Sequence, residues 1–510
     1  MARRAAGSTG RLRSPARRRL LVSGTTTAIA AVASGIPRPA AAAVAKRAAS
    51  DFAGYVPRPA PTQYDFSVTE QAMSPDGGPA VPAVTVNGTI PGPEIRVREG
   101  ETLRVLVRDG LASSPTTIHW HGLLVPAGMD GVPDISNAPI APRQMYVYEY
   151  PIRQTGTYWY HSHYGFQEQQ GMYGAFVIEE AHDPVRADRD AVVLLGDWLH
   201  RAPAAVFAAL RGARDAPADR AAPTSAARGG GTATMPAMPG MGAAAGADLS
   251  DVEYPAFLLN GRAPATPWTF EVRPGDRVRL RLVNGGASTY FRVQLDDHAL
   301  EVTHADGLAV QPFVVDEILM GMGETYDVVV RIARAGSFTL HAVAQDGSGQ
   351  AVGVLHTPGV PPSVSSELPP PGKRRLAYAQ LRAPEPTLLP QGPVKSFRLP
   401  LQGDMKRYVW MIDGQAWPKA DPLEISPGDR VQVELVNQTM MWHPMHLHGH
   451  FFRVLNGAGD FCPLKHTVNV APGETLQFEF TADNPGKWFF HCHNAYHLEA
   501  GMAREFVYVT

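Results

Sequence analysis

Apolar residues fall on every second position in three separate stretches of the chain, each entered through a Gly-acid turn. The first carries Leu103, Val105 and Val107 after Gly100-Glu101. The second carries Val278, Leu280 and Leu282 after Gly275-Asp276, and the third Val431, Val433 and Leu435 after Gly428-Asp429. A period of two bounded by Gly and Pro predicts strands with one buried face. Upstream of each strand stands an Asn-Gly or Asp-Gly turn, at Asn87-Gly88, Asn260-Gly261 and Asp413-Gly414. Downstream, each stretch closes on a glycine followed five residues later by histidine: Gly156 to His161, Gly336 to His341, Gly486 to His491. The repetition predicts an all-β chain of three consecutive β-sandwich domains, at 51–182, 183–360 and 376–510. Segments 228–248 and 361–375 have loop or linker composition. No long amphipathic helix stands out, and 46 prolines exclude an all-α chain.

Composition narrows the setting. At 510 residues and 44% hydrophobic, the chain has material for several cores. Two cysteines, Cys462 and Cys492, exclude a disulfide framework and a cysteine-rich zinc protein. Residues 1–45 hold eight arginines and no acid, so the remainder has 38 basic against 48 acidic residues. An acidic body of net charge about −10 excludes a nucleic-acid partner. The first 45 residues read as an export signal: basic to Arg17-Arg18-Arg19, mildly apolar from Leu20 to Ile36, then the small-residue tract Ala40 to Ala45. Arg17-Arg18 resembles a twin-arginine signal, which implies the twin-arginine export machinery as a partner and delivery of a folded chain to the periplasm or medium. The apolar run is too short for a stable membrane anchor.

Histidine carries the chemistry. His-X-His occurs at His119/His121, His161/His163, His446/His448, His448/His450 and His491/His493, where random placement of 18 histidines gives about 0.6 such pairs. On a strand, residues two apart share a face, so each pair aims two imidazoles one way. His491-Cys492-His493 turns its histidines to one face and its cysteine to the other, which lets one strand serve two metal sites. His443, Cys492, His497 and Met502 together offer two imidazoles, a thiolate and a thioether, the set that selects copper as a blue electron-transfer site with methionine as the long axial ligand. Zinc rarely uses methionine and leaves the other eight histidines of the array without a purpose.

His119-Trp120-His121-Gly122, His161-Ser162-His163, the run from His443 to His450 and the run from His491 to Met502 resemble the four copper motifs of the multicopper oxidases. Met129-Asp130-Gly131-Val132-Pro133, Gln167-Glu168-Gln169 and Thr439-Met440-Met441 add likeness to the periplasmic copper resistance protein A type, and His497 to Met502 is equally laccase-like. The resemblance implies three cupredoxin-like Greek-key domains and four coppers per chain. His443, Cys492 and His497, with Met502 axial, would hold type 1 copper. His119 and His446 would hold type 2 copper. His121, His161, His163, His448, His491 and His493 would hold the type 3 pair, between domains 1 and 3. Domain 1 has Ser162 where domain 3 has Cys492, and domain 2 has His341-Ala342-Val343, so domain 1 is expected to hold no type 1 copper and domain 2 no metal.

Reducing dioxygen to water takes protons as well as electrons, which asks for a carboxylate near the cluster. Asp130, eleven residues beyond His119, holds the place of such an acid in the family. Glu499 is the second candidate, beside Leu498. Met235, Met238 and Met241, in a Gly/Ala/Pro tract, and Met440 and Met441 beside His443 offer soft thioethers suited to cuprous ion. His182, His200, His298, His304 and His356 lack a partner at ligand spacing, His450 and His466 read as supporting residues, and Cys462 as a buried free thiol. The expected activity is one-electron oxidation of a donor, cuprous ion or a small phenol, coupled to reduction of dioxygen. A copper-buffering protein without turnover is the alternative.

Overall fold

The computed structural model describes residues 62–180, 184–212, 249–365 and 367–509. The expected export signal and Met235, Met238 and Met241 lie outside the described residues.

The same strand pairings recur three times. The opening strand of each repeat pairs in parallel with the strand entered from the Gly-acid turn: Tyr64 with Val105, Val193 with Leu282, and Leu399 with Leu435. The strand ending near the repeat's closing histidine forms an antiparallel pair with the next one: Gly156 with Ile178, Ser337 with His356, and Lys487 with Val507. The turns that begin the repeats place Asn87, Asn260 and Asp413 at positive φ and follow each with a positive-φ glycine, the geometry that selects Asn-Gly and Asp-Gly. Each repeat thus builds two facing sheets, of four and four strands in the first, six and five in the second, and six and five in the third.

Alternation places the cores. In the strand Arg430–Asn437, Val431, Val433 and Leu435 are buried while the residues between them are partly exposed. The strand Arg277–Asn284 departs from the expected single buried face, since Arg279 and Arg281 are buried too. Their side of the sheet is covered by the first domain. Arg279 donates to Asp327 Oδ2 at 2.9 Å, and Arg281 donates to Asp327 and to Thr157 Oγ1 of domain 1, the latter at 2.9 Å. The two guanidiniums hold the buried Asp327 carboxyl down at about 2 despite the desolvation that opposes it. Among the described residues no helix is long and apolar enough to cross a membrane. Among the described residues the helices are short, Pro203–Gly212 and Ala495–Glu499 among them.

Candidate metal centre

His119 and His121 share the short strand His119–His121, and His119 pairs directly with His161. In the third domain, Met445 faces Cys492 and His446 faces His491 across the strands His443–Leu447 and Lys487–Cys492. Pleating sends His443 to one side of its strand and His446 to the other. It likewise sends Cys492 opposite to His491 and His493. One pair of strands therefore lines two separate clusters.

The first cluster gathers around Cys492. Its Sγ lies 3.7 Å from His443 Nδ1 and 3.6 Å from His497 Nδ1. His497 returns to Cys492 because Asn494 caps the intervening helix, its Oδ1 accepting from the backbone N–H of Tyr496 and His497. The loop closes where Cys492 donates its backbone N–H to Met502 O at 3.0 Å and Met502 donates to His497 O at 2.9 Å. Met502 is fully buried in the core that also holds Cys492. Each imidazole has its outer nitrogen engaged: His443 Nε2 with Thr439 Oγ1 at 2.7 Å, and His497 Nε2 with Asp251 Oδ2 at 3.1 Å. Asp251 also accepts from Tyr408 OH at 2.7 Å, and Trp410 lies against His497 with centroids 4.0 Å apart and the rings tilted by 32°. Burial pushes the Cys492 thiol up and the His443 imidazole down, so without a cation the thiol keeps its proton. Two imidazole nitrogens, each ring held from behind, converge on a sulfur, which fits a thiophilic metal.

The second cluster holds eight histidines from domains 1 and 3. His119 Nδ1 donates to Asp130 O and His446 Nδ1 to His466 O, both at 2.8 Å, so each Nε2 is a lone pair, and neither Nε2 has a hydrogen-bond partner. His448 Nδ1 donates to Asp130 Oδ2 at 2.9 Å and His491 Nδ1 to Cys492 O at 3.0 Å, leaving their two Nε2 lone pairs facing at 3.0 Å. His161 Nδ1 lies 2.8 Å from Glu168 Oε2, and its Nε2 faces His493 Nε2 at 3.4 Å. Ligand nitrogens of His121, His161 and His493, and of His163, His448 and His491, all lie within 4.8 Å of one another in their triads. His119, His446 and His448 make a further such group. Buried lone pairs aimed at each other repel unless a cation lies between them, so the donor set fits metal ions held by nitrogen.

Desolvation drives the His121, His161, His163, His446, His448 and His493 imidazoles well below their ordinary value, with repulsion from neighbouring histidines adding to it, and His491 down to about 3. A histidine whose value is depressed by folding stabilises the fold only while neutral. The metal-free protein should therefore lose stability as pH falls below about 6.5, the ordinary histidine value, and go on losing it through the depressed range. Thermal unfolding of the stripped chain from pH 7.5 to pH 4 reads this as a falling Tm. A flat profile contradicts it.

The carboxylates divide. Asp130 is fully buried, with Oδ2 on His448 Nδ1 and Oδ1 3.2 Å from His119 Nδ1, so it lies directly behind two of the histidines. Glu499 is not brought there. It sits on the exposed side of the helix whose His497 turns inward toward Cys492. Glu168, quoted in the sequence only for its likeness, is the second buried acid of the cluster, with Oε1 3.8 Å from His493 Nδ1. Burial lifts its carboxyl to about 7. Met440 is exposed while Met441 is buried in the core, so the pair separates. His450 packs behind the site, with Nδ1 on His448 O and Nε2 on Tyr508 OH. Cys462 is a buried free thiol.

Comparison with known proteins agrees with this geometry. Multicopper oxidase family models match residues 67–183, 189–359 and 393–510. The chain is 35% identical to a copper resistance protein A homolog of Pseudomonas syringae pv. tomato, over 87% of this chain and 92% of that protein. It is 36% identical to the multicopper oxidase MmcO of Mycobacterium tuberculosis, over 85% and 84% of the two chains. Among solved structures, the laccase from Botrytis aclada superposes with a TM-score of 0.70 at 25% identity, covering 88% of each chain. Three cupredoxin-like domains, the first and third carrying the histidine clusters, define a copper-dependent oxidoreductase that uses dioxygen as acceptor. The chain belongs to the multicopper oxidase family.

Proposed function

We propose that this chain binds four coppers and oxidises cuprous ion outside the cytoplasm, lowering the toxicity of copper there. In this reading the domains span 51–182, 183–360 and 376–510, behind a twin-arginine signal at 1–45. His443, Cys492, His497 and Met502 would hold type 1 copper, and His119 and His446 would hold type 2 copper. The type 3 pair divides between the triads His121, His161, His493 and His163, His448, His491. When bound, the metals supply one-electron acceptance at the first cluster and four-electron reduction of dioxygen at the second.

The chain's own residues connect and serve these sites. Cys492 is bonded through the backbone to His491 and His493, so the two clusters share a covalent path one residue long. Asp130 and Glu168 are the carboxylates placed to hold protons beside the second cluster, at His448 Nδ1 and His161 Nδ1. The buried rings of Trp159, against His121, His161 and His493, and of Phe489, against His163, His448 and His491, exclude water from it.

The observation that favours a small cation over a phenol is the closure of the first cluster. His443 and His497 are both fully buried, their outer nitrogens are engaged by Thr439 and Asp251, and Trp410 covers His497. An aromatic donor finds no imidazole edge to stack on. Cuprous ion needs only soft or anionic ligands, and the exposed Met440 thioether, three residues before His443, is one. Relatives described as copper resistance protein A fit a role in copper tolerance.

Oxygen uptake by the copper-loaded protein with cuprous ion and with a dimethoxyphenol tests this. The cuprous rate should exceed the phenol rate by about tenfold or more at equal donor concentration, and Met440→Ala should raise KM for cuprous ion about threefold to tenfold, the loss of one soft ligand, with the phenol rate unchanged. A faster phenol rate overturns the donor assignment and leaves a laccase acting on phenols, and a Met440→Ala protein equal to wild type removes Met440 from the docking of cuprous ion.

A further inference from the structure

Domain 2 offers no histidine to either cluster, yet it reaches the second one through a carboxylate. Asp306 sits at the turn between the strands Leu300–Ala305 and Leu308–Val315 and is fully buried. Its Oδ2 accepts the backbone N–H of both His466 and Thr467, at 3.1 and 2.9 Å. These are the residues that stand behind two ligands. His466 O accepts from His446 Nδ1 at 2.8 Å, and Thr467 Oγ1 lies 3.1 Å from His446 Nδ1 and 3.3 Å from His121 Nε2.

The carboxylate is itself clamped. Lys465 Nζ, fully buried, lies 3.1 Å from Asp306 Oδ1 and 3.1 Å from Glu324 Oε1, and Thr325 donates its N–H to Asp306 Oδ1 at 3.2 Å. Glu324 is fixed in turn by the hydroxyls of Tyr326 and Tyr378 at 2.9 and 2.7 Å. Beside this network the turn of domain 2 at Gly323 touches the cluster. A Cβ there would lie 2.8 Å from His121 Cε1 and 3.1 Å from His493 Cδ2, and the residue has φ +84°.

We propose that Asp306 is a positioning residue through which domain 2, by way of His466 and Thr467, sets the His446 imidazole, and with it occupancy of the type 2 site. The inference rests on the ligand assignment proposed above. Losing a carboxylate that orients ligands from behind lowers metal affinity by about 10- to 100-fold. Ligands of the first cluster have their own supports, Thr439 and Asp251, and are untouched by Asp306.

The test compares full-length, copper-loaded wild type with Asp306→Ala and Lys465→Met after dialysis against a chelator that leaves the wild type filled. Asp306→Ala should lose the type 2 electron paramagnetic resonance signal and about one copper per chain while keeping its type 1 absorption. Lys465→Met keeps both amides on Asp306 and should keep the type 2 signal even if its Tm falls. An Asp306→Ala protein with an unaltered type 2 signal overturns the inference, and so does loss of type 1 and type 2 signals in the same proportion. Should Asp306→Ala not fold, amide exchange of the metal-stripped wild type decides. The amides of His466 and Thr467 should stay protected without copper, and exchange as fast as a surface loop overturns the proposal. A wild type without any type 2 signal fails the ligand assignment and the inference with it, whereas a wild type with the signal and an unchanged variant fails the inference alone.

Discussion

Cys492→Ser is expected to abolish the type 1 absorption and to cut oxygen uptake with any donor by about three orders of magnitude or more, a loss of roughly 4 kcal/mol of transition-state stabilisation. Serine fits the space but supplies neither a thiolate nor a sulfur route into the backbone, and its alkoxide is out of reach at neutral pH. His443 and His497 would then have no thiolate partner, since Cys492 Sγ is the atom that both Nδ1 atoms face. The second cluster keeps all eight of its histidines in this variant. The type 2 resonance signal should therefore survive, with copper content falling by about one per chain. A variant that loses both signals would show that the two clusters fold as one unit rather than as separate sites on opposite faces of a strand. The hydroxyl left unpaired in the core should lower stability by about 1–3 kcal/mol.

The second large effect is expected at Asp130. Its two oxygens lie against His448 Nδ1 and His119 Nδ1, so Asp130→Ala leaves a buried imidazole N–H without an acceptor and should weaken metal retention about 10- to 100-fold. Asp130→Asn keeps an acceptor oxygen but cannot carry a proton between states. It should retain its copper and lower kcat for dioxygen reduction by about 10²-fold, the size of a general acid-base contribution. Rapid mixing separates the steps: reduction of the first cluster by donor under anaerobic conditions should run at the wild-type rate in Asp130→Asn, and only reoxidation by dioxygen should slow. Glu168→Gln should slow the same half-reaction, by about tenfold or more, because Glu168 backs His161 at the other side of the cluster. If Asp130→Asn reoxidises normally, Asp130 only orients ligands and protons enter elsewhere.

Much of the site was readable before folding was considered, for a physical reason. The ligands come in pairs two residues apart on strands, and the pleat converts that spacing into shared direction without any tertiary information. His491-Cys492-His493 is the clearest instance, since strand geometry alone assigns its residues to two clusters. Residues that support the ligands carry no such local signature. Asp251 meets His497 across a sequence separation of 246 residues, and Asp306 meets Thr467 across 161. Which acid faces which imidazole depends on how the sandwiches dock. Glu499 shows the same limit from the other side. Its position next to a ligand motif suggested a role at the cluster, but a helix turns residues two apart to different faces, so His497 points in and Glu499 out. Arg279 and Arg281 fall where alternation predicts an exposed face, and only the cover of domain 1 explains their burial.

The central claim is that two histidine clusters joined at Cys492 make this chain a four-electron oxidase. The most direct test loads the full-length protein with copper, counts the metal, and follows donor oxidised against dioxygen consumed in one cell. The account predicts about four coppers per chain and about four electrons delivered per dioxygen, with no hydrogen peroxide accumulating, since both type 3 triads and the type 2 pair must act together. A protein that holds the metal but consumes no dioxygen with cuprous ion or a phenol, or that releases peroxide at two electrons per dioxygen, would contradict it.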